Sequence, residues 1–102
     1  MKVIAIGTLK AYWDQNPQAA AALKAWFDEA KKATCKTPQD IKNLYRSASF
    51  IADHRVVFNI KGNDYRLIVA VACQVGIVYI KFIGTHADYD AIDAETIEAD
   101  WL

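Results

Sequence analysis

The sequence predicts a single α+β domain built around a mainly antiparallel sheet. Three observations carry this. Strand-like apolar runs cluster in the second half of the chain instead of alternating with helices. Short turn signals, Gly62-Asn63 and Gln74–Gly76, join consecutive runs as hairpins. An alanine-rich segment with apolar residues at helical spacing, followed by a second helix start, fills much of the first half. At 102 residues the chain has room for one domain, 1–102, and its 54% hydrophobic content suffices for a compact core.

Lys2–Ile6 reads as a short strand closed by Gly7, after which Thr8 can cap a helix through Leu9, Tyr12 and Trp13. Asn16-Pro17 restarts the helix, because proline at the first helical position gives up an amide that would be unpaired anyway. In the helix of about 17–33, Leu23, Trp26, Phe27 and Ala30 form one core-facing stripe. Thr37-Pro38-Gln39-Asp40 repeats the start signal, with Asp40 placed to bond back to the cap, and a short helix with Ile41, Leu44 and Tyr45 follows. Residues 46–49 read as a connector, Phe50–Ala52 as a brief strand, and Asp53 as the start of a turn. Strands are expected at about 55–61, 64–72 and 77–83, with a last helix from about 86 onward, capped by Thr85. The N-terminal helices should cover one sheet face, the polar parity of the later strands should form an open face, and the first strand should pair at an edge or beside the later hairpin.

Formal net charge is zero, but the charges are divided. Residues 1–87 hold all 12 Lys and Arg against six acids, a net of +6, whereas 88–102 hold six acids and no Lys or Arg, a net of −6. The acidic end is either a solvated tail or a segment that touches a basic surface, its own or a partner's. Cys35 and Cys73 are too few and too far apart along the chain to suggest a disulfide scaffold or a zinc site, and Cys73 reads as a small buried hydrophobe. No run approaches the roughly 18 apolar residues of a membrane span, and the apolar run near Met1 is too short for a signal-peptide core. A reduced, cytoplasmic protein with no membrane contact is the expectation.

No Gly-rich phosphate loop, HExxH, metal-spaced Cys/His cluster or nucleophile elbow occurs, so no metal and no cofactor is expected. The strand-rich stretch 54–90 is more distinctive. In its first run Val56, Phe58 and Ile60 share one parity, and Arg55, Asn59 and Lys61 the other, which describes a half-buried strand with a cationic outer face. Arg66 lies on the second run, Lys81 on the third, and His86 and Tyr89 follow. These are either solvated sheet residues or a surface for a polyanion. RNA cleavage without a metal needs one group to take the 2′-OH proton, another to protonate the leaving 5′ oxygen, and cations to hold the phosphate. Histidine suits the proton steps near neutral pH. Arg and Lys supply fixed positive charge, and Tyr can stack on a base or act as a weak acid.

RVVFNIKGNDYRLIVAV followed by VYIKFIGTHADYDAIDAETI resembles the HigB branch of the RelE superfamily, and the likeness extends to TPQDIKNLYRSASF. The resemblance implies a RelE-like fold, two N-terminal helices on a small twisted sheet with a short C-terminal helix. It also implies a ribosome-dependent endoribonuclease (an mRNA interferase) that cleaves translated mRNA in the 30S A site as the toxin of a type II toxin–antitoxin pair. Its partner would be a HigA-like helix-turn-helix antitoxin encoded by an adjacent gene, with operator DNA reached only through the antitoxin complex. By position, Arg66 matches the family's phosphate-holding arginine, His86 its late proton-transfer histidine and Tyr89 its late tyrosine. Lys81 falls where some relatives carry arginine, which completes the expected catalytic set. His54, Arg55, Asn59 and Lys61 are the expected RNA contacts. The helical side, with Trp13, Trp26, Lys24, Lys31 and Lys32, is an expected antitoxin surface unless both tryptophans are core. A reading from another class is a non-enzymatic component of a repressor complex that binds nucleic acid or a partner through the sheet.

Overall fold

The computed structural model describes residues 1–45, 48–51 and 54–98. The expected connector positions 46 and 47, the turn start at Asp53 and the end of the acidic run lie outside these residues. In chain order the elements are β1 (Lys2–Ile4), α1 (Ile6–Gln15), α2 (Pro17–Lys32), α3 (Pro38–Leu44), β2 (Ser49–Ile51), β3 (Arg55–Ile60), β4 (Tyr65–Ala72), β5 (Ile77–Thr85) and α4 (His86–Asp90). Five strands form one sheet in the order β1-β5-β4-β3-β2. The β2–β3, β3–β4 and β4–β5 pairs are antiparallel, and β1 adds a parallel pair on β5, so the sheet is mixed.

Local chemistry explains most boundaries. Asp40 accepts from the backbone N–H groups of Lys36 (2.8 Å) and Thr37 (3.3 Å), which fixes the start of α3 and holds this carboxyl below its ordinary range. Thr85 Oγ1 accepts from Asp88 N (3.1 Å) while Asp88 Oδ2 accepts from Thr85 N (3.0 Å), so α4 begins where the sequence places it. Three boundaries differ from expectation. Helix α1 starts at Ile6, with Ala5 in a left-handed conformation (φ 67°), so Gly7 belongs to the helix and Thr8 is not its cap. The β3–β4 connection is the four-residue stretch Lys61–Asp64, with Lys61 and Gly62 both at positive φ, not a two-residue turn. Helix α4 is only five residues long, and the chain then continues through turns to Glu98.

The main core lies between the helices and one face of the sheet. Leu9, Ala19, Leu23, Trp26 and Ala30 pack with Val56, Phe58, Ile60, Leu67, Val69, Ile80 and Ile83. Trp26 meets Phe58 edge-on at 5.6 Å and belongs to this core, which removes it from the expected antitoxin surface. Trp13 is half-buried, with the Lys24 ammonium 5.6 Å from its ring centre. Among the described residues no helix is long and apolar enough to cross a membrane.

The second face is not left open. Val57, Ile68 and Phe82 form a small apolar cluster there, covered by Ile51, Tyr89, Ile92, Ala94 and Ile97. Three large side chains on the polar parity would leave an exposed apolar patch, so the segment after α4 folds back over them. A β-bulge between Ile68 and Val69 contributes: Ile68 pairs with Phe82 but Val69 with Ile80, which leaves Lys81 as the extra residue of β5. The bulge lets Lys81 and Phe82, neighbours in sequence, both serve the second face.

The cysteines also depart from expectation. Cys35, after α2, and Cys73, after β4, are joined by a disulfide with Cα atoms 5.2 Å apart. Thirty-eight positions of sequence separate them, but the β4–β5 turn returns Cys73 to the helical layer, and Cys73 packs at the edge of the main core.

Candidate active site

The candidate residues divide into two groups along the second face. At one end, the strand register sets Asn59 of β3 beside Arg66 of β4 and Arg66 beside Gly84 of β5. Adjacent strands run about 4.8 Å apart, so the three form one row across the sheet. The next pair is Tyr65 with Thr85, and His86 follows as the first residue of α4, its amide donating to Asp64 O (3.2 Å). Asn59, Arg66 and His86 are therefore brought together, with Lys61 exposed on the adjoining turn.

Local contacts shape this end. The Arg66 guanidinium donates through Nη1 to Asn63 O (3.1 Å) and Tyr65 O (3.3 Å), which leaves its other nitrogen donors for a ligand. His86 Nδ1 lies 3.1 Å from Asp90 Oδ2, one helical turn on. A carboxylate at Nδ1 favours the tautomer protonated there and leaves the Nε2 lone pair for proton transfer. At Gly84 the sheet lies close against α4. A Cβ added at this position would meet Phe82 Cζ at 2.7 Å and Asp88 Cβ at 2.9 Å. Tyr12 of α1 closes this end from the helical side, edge-on to Tyr65 at 6.1 Å. Burial, with the Asp88 carboxylate and Tyr65 nearby, pushes its hydroxyl up to about 12, so it stays protonated at neutral pH.

The other group is Arg55, Lys81 and an acid that the candidate set omits, Glu98. Arg55 lies four residues along β3 from Asn59, roughly 13 Å at 3.3 Å per residue. Its guanidinium is buried beneath the C-terminal segment, donating to Ala94 O (3.3 Å), Ile97 O (2.6 Å) and Glu98 Oε1 (2.8 Å). In this arrangement it is not an exposed RNA contact. Lys81 Nζ donates to Glu98 Oε2 (2.7 Å). The Lys81 hydrogen bond, helped by the charges of Lys81 and Arg55, holds the Glu98 carboxyl below its ordinary value against the opposing effect of burial. Tyr89 sits between the groups, half-buried against Val57, Ile68 and Phe82. His54 is exposed at the far end with φ 61°, its carbonyl accepting from Val71 N (3.0 Å), and is remote from His86.

The candidate set expected from the sequence omits Asp90 and Glu98 for different reasons. Asp90 carries a usable signal, because positions four apart on a helix face each other. Glu98 carries only the sign of its charge, and its two partners are set by the fold. Among the described residues no group of three His, Cys, Asp or Glu side chains is placed to hold a metal ion.

Comparison with known proteins agrees with this architecture. The chain is similar to the mRNA interferase toxin HigB of Escherichia coli (strain K12), with 29% identity over 96 residues that cover 92% of each chain. It is equally similar to the mRNA interferase HigB of Shigella flexneri, at 29% identity over the same share of each chain. Residues 19–92 match the family described as HigB_toxin, RelE-like toxic component of a toxin-antitoxin system. That match takes in most of the helical layer, the β3–β5 hairpins and α4, and the chain belongs to this family of RelE-like toxins.

Proposed function

We propose that the protein is the toxin of a type II toxin–antitoxin pair and acts as a metal-independent endoribonuclease on translated mRNA. The observation that carries this reading is the convergence of Arg66, Asn59 and His86 at one end of the sheet, with Asp90 3.1 Å from His86 Nδ1. The relatives named mRNA interferase support the same reaction class. The 2′-OH of one nucleotide attacks the adjacent phosphorus, the P–O5′ bond breaks, and the products carry a 2′,3′-cyclic phosphate and a free 5′-OH. His86 Nε2 is the main proton-transfer group, and Asp90 orients its ring. Arg66 holds the phosphate as negative charge grows on its oxygens. Tyr89 stacks on a base or assists proton transfer. Asn59 and Lys61 contact the RNA backbone, and Lys81 adds positive charge further along the face.

The reading includes ribosome dependence. Zero net charge gives little non-specific pull toward free RNA. The 30S A site would supply the positioning that the protein does not, and positioning alone accounts for a large part of such a barrier. A nuclease of this kind requires an inhibitor in its own cell, and the reading assigns that role to a HigA-like helix-turn-helix antitoxin from the adjacent gene. Operator DNA is reached only through that complex.

Controlled expression followed by mapping of mRNA 5′ ends tests the proposal. Cuts in phase with codons on translated messages are expected. Growth arrest without new 5′ ends would favour a binding protein instead, and equal cleavage of naked RNA would reject ribosome dependence.

A further inference from the structure

The two oxygens of Glu98 bridge two sheet cations, Oε1 to Arg55 at 2.8 Å and Oε2 to Lys81 at 2.7 Å. A planar anion that divides its oxygens between a guanidinium and an ammonium makes the contacts that the two non-bridging oxygens of a phosphodiester would make. The Arg55 side chain is 6% exposed, whereas Glu98 is 53% exposed. The cation is built into the sheet, and the acid approaches it from outside. The segment carrying Glu98 is lightly attached. Beyond α4 it has only turns, with Thr96 and Ile97 amides donating to Asp93 O (3.2 and 2.9 Å), and its apolar anchors Ile92, Ala94 and Ile97 are all half-buried. If it lifts, Arg55 loses two carbonyl partners and one carboxylate, and both cations face solvent on the same surface as Arg66.

We propose that Arg55 and Lys81 form a second phosphodiester-binding site for RNA, and that Glu98 occupies it as an intramolecular competitor that RNA must displace. The site continues the face that carries Arg66 and His86, so a strand held at the reactive end would reach it a few nucleotides away. This inference rests on the RNA-cleaving reading above. It adds that the free toxin is partly closed by its own C-terminal segment, through the contact of Glu98 with the two sheet cations.

The test is fluorescence anisotropy of a labelled, 2′-O-methylated single-stranded RNA oligonucleotide at low salt, with the full-length chain and its variants. Methylation removes the attacking hydroxyl, so binding is read without cleavage. Glu98→Gln keeps the shape of the side chain and loses the charge. Glu95→Gln makes the same charge change on an exposed side chain of the same segment for which no bond to a sheet cation is found. Ile97→Ser loosens the anchor with no change in charge. The expected result is about three- to tenfold tighter binding for Glu98→Gln and Ile97→Ser, the scale of one or two weak ion pairs removed. Glu95→Gln should gain little, and adding Lys81→Ala should cancel the gain of Glu98→Gln. Should Glu98→Gln unfold, Ile97→Ser reads the same competition. RNA bound by the wild type but no tighter by either variant overturns the competitor alone, as does an equal gain from Glu95→Gln. No RNA bound by any of these proteins overturns the competitor alone, because ribosome-dependent cleavage does not require binding of free RNA and is judged by the mapped mRNA 5′ ends.

Discussion

Gly84→Ala is the perturbation that most directly couples the sheet to the reactive end. An added Cβ would stand 2.7 Å from Phe82 Cζ and 2.9 Å from Asp88 Cβ, where non-bonded carbons rest at about 3.5–4.0 Å. The overlap is therefore roughly 1 Å on each side. Phe82 has no exposed surface and its ring is packed with Val57 and Ile68, so it has no space into which to move. Asp88 is exposed and belongs to the five-residue α4, so the helix must give way. Moving α4 strains the paired Thr85–Asp88 bonds and carries His86 away from the Arg66 row. Overpacking of this kind costs about 1–3 kcal/mol of stability, and a displacement of about 1 Å at a reacting group costs on the order of 100-fold in rate. Urea denaturation and single-turnover cleavage of ribosome-bound mRNA measure the two effects. Gly7→Ala is the control, because nothing lies within 4 Å of its added Cβ and the position is helical. It should be neutral or stabilise by up to about 1 kcal/mol. Wild-type stability and rate in Gly84→Ala would refute the packing argument, and lost stability with an unchanged rate would refute the link between α4 and the chemistry.

Three further outcomes are expected. His86→Gln and Arg66→Ala should each lower single-turnover cleavage by about 100- to 1,000-fold with the folded circular dichroism spectrum retained, and near wild-type cleavage by either folded variant would reject its assigned role. Opening the Cys35–Cys73 bridge, by reductant or by Cys35→Ser with Cys73→Ser, releases a crosslink between residues 38 positions apart. Loop-closure entropy puts its contribution at about 4 kcal/mol, so the urea midpoint should fall, and two free thiols in the native non-reduced protein would contradict the pairing. The Glu98 carboxyl should titrate below its ordinary 4.5 because Lys81 and Arg55 hold it ionised. A carboxyl lowered by folding contributes its full stabilisation above the unfolded value and loses it as pH falls through the folded one, so the clamp stays closed at neutral pH. An NMR titration midpoint at or above 4.5 would show that the contact is absent in solution.

Features legible in the sequence are those whose cause lies within a few residues. Alternating parity marks β3 because successive side chains of a strand face opposite ways. Thr37 with Asp40 and Thr85 with Asp88 mark the starts of α3 and α4 because a capping box spans only three positions. The segments that resemble RelE-like toxins carry the family likeness in contiguous residues, with no need of strand pairing. The features that stayed hidden depend on which distant segments meet. The parallel pairing of β1 with β5, the bulge that turns Lys81 and Phe82 to one face, and the approach of Cys35 to Cys73 all follow from register and chain return. The same cause splits what reads as one cationic constellation in two. Arg66 and His86 are joined by cross-strand neighbours, whereas Arg55 and Lys81 are drawn to an acid 43 and 17 positions downstream. Composition shows an acidic end and a basic body, but only the packing of Ile92, Ala94 and Ile97 on Val57, Ile68 and Phe82 brings that end onto those two cations.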